Sequence, residues 1–193
     1  MPAADQWSSR CSYLLVGIIT MSSDKSTSEA KPLCFNEIKD AIENGDLHLL
    51  KRSDDDQVIY RARMAKLKAE WKSAGDFIIH DKFGIPYHID EPTNMKFVPR
   101  PLECVHTKIN DLALLENDFP YHFEKDVKHL LLWKLGKDAV VTEQDVANSL
   151  KDISTKYKVV NSCFFINPPE LKSILDVSHA HIIIRTAPEP TGC

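Results

Sequence analysis

The stretch Ser178-His179-Ala180-His181-Ile182-Ile183-Ile184-Arg185 constrains the fold of this chain more than any other. Its isoleucine run reads as a β-strand, Ser178 to Thr186. Side chains alternate between the two faces of a strand, so Ala180, Ile182 and Ile184 share one face. That face is purely apolar and has to be core. His179, His181, Ile183 and Arg185 share the other, which sets two imidazoles and a guanidinium in a row. Such a row suits an anion, because arginine is a planar multidentate donor and histidine can donate or accept. The competing reading is a solvated outer face, but an exposed strand more often shows Thr, Lys or Glu there.

The surrounding elements predict an α+β fold, a single domain with a small mixed β-sheet packed by helices. Val159 to Ile166 reads as a second strand. Thr142 to Tyr157 is the clearest helix, with Thr142 as cap, Asp145 at the capping-box position and Val146, Leu150, Ile153 and Tyr157 on one face. Pro168-Pro169 opens a short helix. Residues 107–117 fit a helix by the spacing of Ile109, Leu112 and Leu115, and Val127 to Trp133 is apolar with one histidine. Connecting helices allow some parallel strand pairing.

In the first half, Leu33, Phe35, Ile38 and Ile42 recur at helical spacing before Asn44-Gly45. Ser53 caps a second helix with Asp54, Asp55 and Asp56 in its first turn, running through Tyr60, Met64, Leu67 and Trp71, with Gly75 as its expected end. Phe77-Ile78-Ile79-His80 reads as a brief strand or the start of a loop. Pro86, Pro92, Pro99 and Pro101 crowd the next segment, so residues 84–101 read as an ordered surface loop or a lid.

The chain has 193 residues, enough for one domain with a real core. Its 24 basic and 28 acidic side chains leave a net charge of −4, which lacks the basic footprint of a nucleic-acid binder. The apolar run Tyr13 to Thr20 is too short to span a bilayer. It lies within a segment, residues 1–31, that reads as a disordered arm, with Met21 standing as an alternative start. Residues 32–187 are the expected globular domain and 188–193 a disordered tail. Five cysteines with no paired spacing read as reduced thiols, hence a cytoplasmic protein with neither a disulfide framework nor a metal-ligand pattern.

Further polar groups can join the histidine row. Asn167 follows the strand end and precedes a helix start, where anions bind. His129 and Trp133, four apart, share a face in either a helix or a strand. Arg52 precedes a helix N-terminus, a place for a phosphate contact. The expected site therefore has His179, His181 and Arg185 holding phosphate with help from Arg52 and Lys172. Trp133 and Tyr60 stack on a base or sugar, and Asn167 and His129 add polar contacts. No Walker loop, GxGxxG, GxSxG, HExxH or kinase signature occurs.

The runs Asn117-Asp118-Phe119-Pro120-Tyr121, His129-Leu130-Leu131-Leu132-Trp133, Asn167-Pro168-Pro169 and His179-Ala180-His181 with Arg185 occur in this order. With Leu50-Lys51-Arg52-Ser53, Tyr60, Trp71 and Asp76-Phe77, they resemble the fungal N-acetylglucosamine-induced protein family over about residues 33–187. The resemblance implies a fungal cytosolic protein of the amino-sugar response and brings no established reaction with it. Asn167, Ser173 and His179-Ala180-His181 also resemble, faintly, the histidine-triad nucleotide hydrolases, but Ile183 stands where their third alternating histidine is needed. The expectation is a binding protein for a phosphorylated small molecule, a nucleotide such as CTP or a nucleotide sugar, with Mg²⁺ as the ion that would accompany it. The alternatives are a phosphoesterase or transferase on amino-sugar or nucleotide metabolites, using His179 or His181, and a protein–protein adaptor in sugar signalling.

Overall fold

The computed structural model describes residues 31–100, 111–136 and 139–188. The expected arm but for Lys31, the alternative start at Met21, most of the expected tail, and residues 107–110 lie outside the described residues.

Four strands form the main sheet: β3 (Leu112–Glu116), β4 (Val127–Lys134), β5 (Val159–Phe165) and β6 (Ser178–Thr186). They stand in the order β3-β4-β6-β5, and every neighbouring pair is antiparallel. The parallel pairing that the connecting helices would allow is not used inside this sheet. Of the segment 107–117 expected to be helical from its threefold spacing, residues 112–116 form a strand. Leu112-Ala113-Leu114-Leu115 is apolar on both faces, which suits an edge strand covered from both sides.

One face of the sheet is apolar core. Leu130, Leu132, Ala180, Ile182 and Ile184 are buried there with Val141 and Val146 against α4 (Glu143–Ile153). Helix α4 begins as its sequence requires. The Asp145 N–H donates to the Thr142 hydroxyl at 3.2 Å, and the Thr142 N–H donates back to the Asp145 carboxylate at 2.8 Å. Lys134 adds a 2.8 Å ion pair from β4, and this bond with the cap holds the Asp145 pKa at about 2.

The opposite face carries two separate apolar clusters. At one end α1 (Phe35–Glu43) packs Phe35, Ile38 and Ala41 onto Val127, Phe165 and Ile183. At the other end α3 (Ala74–Phe83) packs Ile78 and Ile79 onto Trp133 and Val177. Between these clusters the sheet presents His129, His181 and His179. The gap is roofed by α2 (Asp54–Glu70), a largely exposed helix in which only Leu67 is buried.

Three local expectations are corrected here. The run Phe77 to His80 is helical, because the Ser73 hydroxyl accepts the Asp76 N–H at 3.0 Å and starts a helix before the β-branched pair. Gly75 lies in the first turn of that helix and does not end α2, whose last residue gives way to extended Trp71. Segment 84–101 is not free of regular structure, since β1 (His88–Asp90) and β2 (Met95–Phe97) form an antiparallel hairpin. Pro92 sits in its turn, which Asn94 closes at φ 55°. The hairpin is tied to α3 by the buried Asp76, whose carboxylate accepts the Val98 N–H at 3.1 Å and Arg100 at 3.2 Å. Among the described residues no helix is long and apolar enough to cross a membrane.

Candidate functional site

The gap in the second face opens into a pocket. Its floor is Leu131, Trp133, His179 and His181, and one wall is Tyr60, Arg63, Met64 and Leu67 of α2. That spacing of three, one and three places the four on a single helical face. The loop Asn117 to Tyr121 and the segment Leu171 to Ile174 close the sides. A water centre can reach about 120 Å³ inside it. One water needs roughly 10–15 Å³ on this measure, so the space holds a ligand of several heavy atoms.

Hydrogen bonding fixes where the imidazole protons lie. The Tyr121 backbone N–H can only donate, and it meets His129 Nδ1 at 3.2 Å. The His129 proton is therefore on Nε2, which donates to His181 Nδ1 at 2.8 Å. The His181 proton is in turn on Nε2, 3.0 Å from the Asn167 side-chain amide, whose oxygen is the end that can accept it. The Asn167 amide also bonds the Tyr121 hydroxyl. Both nitrogens of His129 and of His181 are thus engaged, in a chain that starts at a backbone amide and ends on Asn167 and Tyr121. Phe165 stacks on His181, with ring centroids 4.6 Å apart and planes within 5°.

His179 is arranged differently. Its Nδ1 lies 3.1 Å from the Val177 carbonyl, which can only accept, so Nδ1 carries the proton and Nε2 is left with a bare lone pair. Among the described residues that Nε2 has no hydrogen-bond partner. Its ring rests 4.5 Å from Trp133, its cross-strand neighbour, and only 5% of the residue is exposed.

All three imidazoles are neutral at pH 7. Burial, helped by the Arg52 charge, pushes His129 down to about 3. Burial also pushes His181 well below the usual histidine range, with the neighbouring imidazoles and Arg52 acting the same way. His179 is lowered by burial, against the pull of the Val177 carbonyl, and Lys172 pushes it down further.

The cationic groups come from elsewhere. Arg52 Nε donates to the Phe119 carbonyl at 3.0 Å, and its guanidinium carbon lies 3.8 Å from the centre of the Tyr60 ring. Arg63 stands 5.1 Å over Phe77. Among the described residues neither arginine has a carboxylate within ion-pair distance. Lys82 differs in holding Asp118 at 2.8 Å and Asp81 at 3.0 Å. Burial works against its ammonium, but these partners outweigh it and raise its pKa.

The sequence-based site is therefore assembled in part. Arg52, Tyr60, Trp133, Asn167, His179 and His181 all line the pocket. His129 does not reach it; it stands behind His181 as that ring's partner. Arg185 shares the histidine face but is not brought to the pocket. Ile183 and α1 fill the space between, and Arg185 pairs with Asp126 at 2.9 Å on the exposed edge. Lys172 is not a wall residue, though its charge reaches His179. Trp133 is a buried floor residue, its ring tilted 38° against His179, and not an open platform. Asn167 serves the His181 chain, and no cradle of amides follows it, since Pro168 and Pro169 have no N–H. Arg63, Lys82 and Tyr121 were not assigned to the site from sequence. The Tyr60, Arg63, Met64, Leu67 stripe carries a signal for Arg63. Lys82 carries none, because its partner Asp118 is 36 residues away.

Among the described residues no cluster of three or more histidine, cysteine or acidic side chains could hold a metal ion. Cys34 and Cys163 are free thiols, and burial pushes Cys163 up to about 11.

Comparison with known proteins places these features in a family. The chain is 28% identical over 168 residues to the uncharacterized protein YPL067C of Saccharomyces cerevisiae, covering 81% of this chain and 80% of that one. It is 23% identical over 177 residues to N-acetylglucosamine-induced protein 1 of Candida albicans, covering 80% and 68%. The crystal structure of HTC1 shares the fold at a TM-score of 0.52 and 21% identity, over 80% of this chain and 85% of that one. Residues 34–185 match the model of a family described as a protein of unknown function, DUF3605, and the chain belongs to that family.

Proposed function

We propose that the chain binds a phosphorylated small molecule, a nucleotide or nucleotide sugar, in the pocket between α2 and the sheet. The observation that carries this reading is the pair Arg52 and Arg63, two guanidinium groups without carboxylate partners among the described residues, both lining one aromatic-lined cavity. Guanidinium matches phosphate in geometry and charge. The protonation pattern reverses the polarity that the sequence suggests. The neutral imidazoles cannot supply the charge, so the phosphate oxygens belong on Arg52 and Arg63. Mg²⁺ would arrive with the nucleotide. The Candida relative is named for induction by N-acetylglucosamine, which supports an amino-sugar response as the setting, and the cytoplasm is the compartment we propose for it.

A thermal-shift screen of the full chain tests this, with CTP, other nucleotides, nucleotide sugars and sugar phosphates, each with and without Mg²⁺. A ligand at 100 times its dissociation constant adds about 2.7 kcal/mol. For a domain of this size that raises the melting temperature by about 5–10 °C. A flat response to every phosphorylated compound would contradict the reading and favour an adaptor.

A further inference from the structure

Three imidazoles stand side by side on the sheet, and only one is built to react. His129 and His181 have both ring nitrogens committed to hydrogen bonds. His179 has its Nδ1 proton tied to the Val177 carbonyl and its Nε2 lone pair free, on a ring that lines the pocket. The Val177 carbonyl does a second thing. When Nε2 forms a bond, positive charge develops on the ring, and the carbonyl oxygen at Nδ1–H stabilises it. Trp133 fixes the ring plane from one side, and His181 meets it edge-on at 5.5 Å. The phosphate donors Arg52 and Arg63 line the same pocket, where they would hold the oxygens of a phosphoryl group presented to His179.

We propose that His179 is a nucleophile that takes a phosphoryl group from the ligand onto Nε2. This rests on the phosphorylated-ligand reading of the pocket and turns that site from a binding site into a group-transfer site. In the step, the Nε2 lone pair forms the N–P bond as the P–O bond to the leaving group breaks. With a nucleoside triphosphate the nucleoside diphosphate departs with that electron pair as a stable anion. The Nδ1 proton stays on the ring, so no separate base is required. The nucleophile is activated by its fixed tautomer and its neutrality, which is one of the recognised routes to covalent catalysis.

The test needs no natural ligand. Phosphoramidate transfers its phosphoryl group to neutral imidazole nitrogen and releases ammonia, whose nitrogen already carries its protons. The full chain is incubated with phosphoramidate at neutral pH, and its intact mass and its fragmented peptides are read. The proposal expects one acid-labile phosphoryl group, located on His179 in the wild-type protein and lost in His179→Gln. His129 and His181 should stay unmodified in the folded chain. Location in the wild-type peptide keeps the result decisive even if the variant folds poorly. Absence of an adduct on His179, or labelling confined to surface histidines and unchanged in His179→Gln, overturns the proposal. A chain that shifts its melting temperature with nucleotides yet takes no phosphoryl group keeps the binding reading and loses this one.

Discussion

Acid should unfold this protein by way of its buried histidines, well before its carboxylates titrate. His129 is held at about 3 in the folded chain, against an ordinary value of about 6.5 when unfolded. A base with a lowered folded pKa binds protons preferentially in the unfolded state. Its contribution to stability is complete above pH 6.5 and drains away as the pH falls from 6.5 towards 3. At pH 5 the unfolded chain lies 1.5 pH units below the ordinary value, and at about 1.36 kcal/mol per unit the loss from His129 alone is about 2 kcal/mol. His181 acts in the same direction. For a domain of this size 2 kcal/mol lowers the melting temperature by about 4–8 °C. The Asp145 carboxylate, at about 2, keeps its contribution down to about pH 4, below the assayed range. The assay is thermal unfolding by circular dichroism at pH 7.5, 6.5, 5.5 and 5.0, on wild type and His129→Leu. The variant should melt lower at pH 7.5, since it strips the Tyr121 N–H and His181 of a partner, but its melting temperature should fall less between pH 6.5 and 5. A wild-type melting temperature that is flat over that interval, or a variant with the same slope, would refute the reasoning.

Three further substitutions test the scaffold around the pocket. Gly75→Ala should destabilise by about 1–3 kcal/mol, because the added Cβ overlaps the Asp176 carboxylate, which is itself fixed by a 2.7 Å bond from Ser73; urea titration of the variant checks this. Asp76→Ala should cost about 3 kcal/mol, since it leaves the buried Val98 N–H without an acceptor and frees Arg100, and hydrogen exchange at the Val98 amide should rise with it. Thr142→Ala should cost about 1 kcal/mol through loss of the α4 cap while leaving nucleotide-induced shifts unchanged, as measured by the same melts with and without ligand.

The strand that opened the sequence argument was readable because its two faces differ so sharply. Ala180, Ile182 and Ile184 are core, and the histidines opposite them are buried and bonded where a solvated face was the alternative. Helix α4 was legible for a local reason, since Thr142 and Asp145 satisfy each other within one turn. The failures have a common cause, which is information supplied by distant residues. Gly75 looks like a helix stop in sequence, yet it is small because Asp176 lies against it. Phe77-Ile78-Ile79 favours a strand by propensity, but Ser73 and the packing of Ile78 and Ile79 on Trp133 make it helical. Leu112 and Leu115 fit a helical spacing as well as an edge strand, and only pairing with β4 decides between them. Within the site, strand parity put His179 with His181 and His129 with Trp133, and pairing of β4 with β6 is what sets Trp133 opposite His179. Parity could not show that α1 would cover Ile183 and leave Arg185 outside. Nor could it show which imidazole nitrogen was free, because that is set by Val177, Tyr121 and Asn167.

Titration calorimetry on the arginine pair tests the central claim most directly. The phosphorylated compound that gives the largest thermal shift would be titrated into wild type, Arg52→Gln and Arg63→Gln, each first shown to melt cooperatively. A hydrogen bond to a charged group is worth about 1.5–3 kcal/mol, so either substitution should weaken binding by about 10-fold or more. Among the described residues Arg63 holds no backbone carbonyl, which makes its variant the cleaner of the two. That loss is expected for phosphorylated compounds, with a much smaller one for their dephosphorylated counterparts. Undiminished affinity in both variants, or equal loss for compounds with and without phosphate, would contradict it.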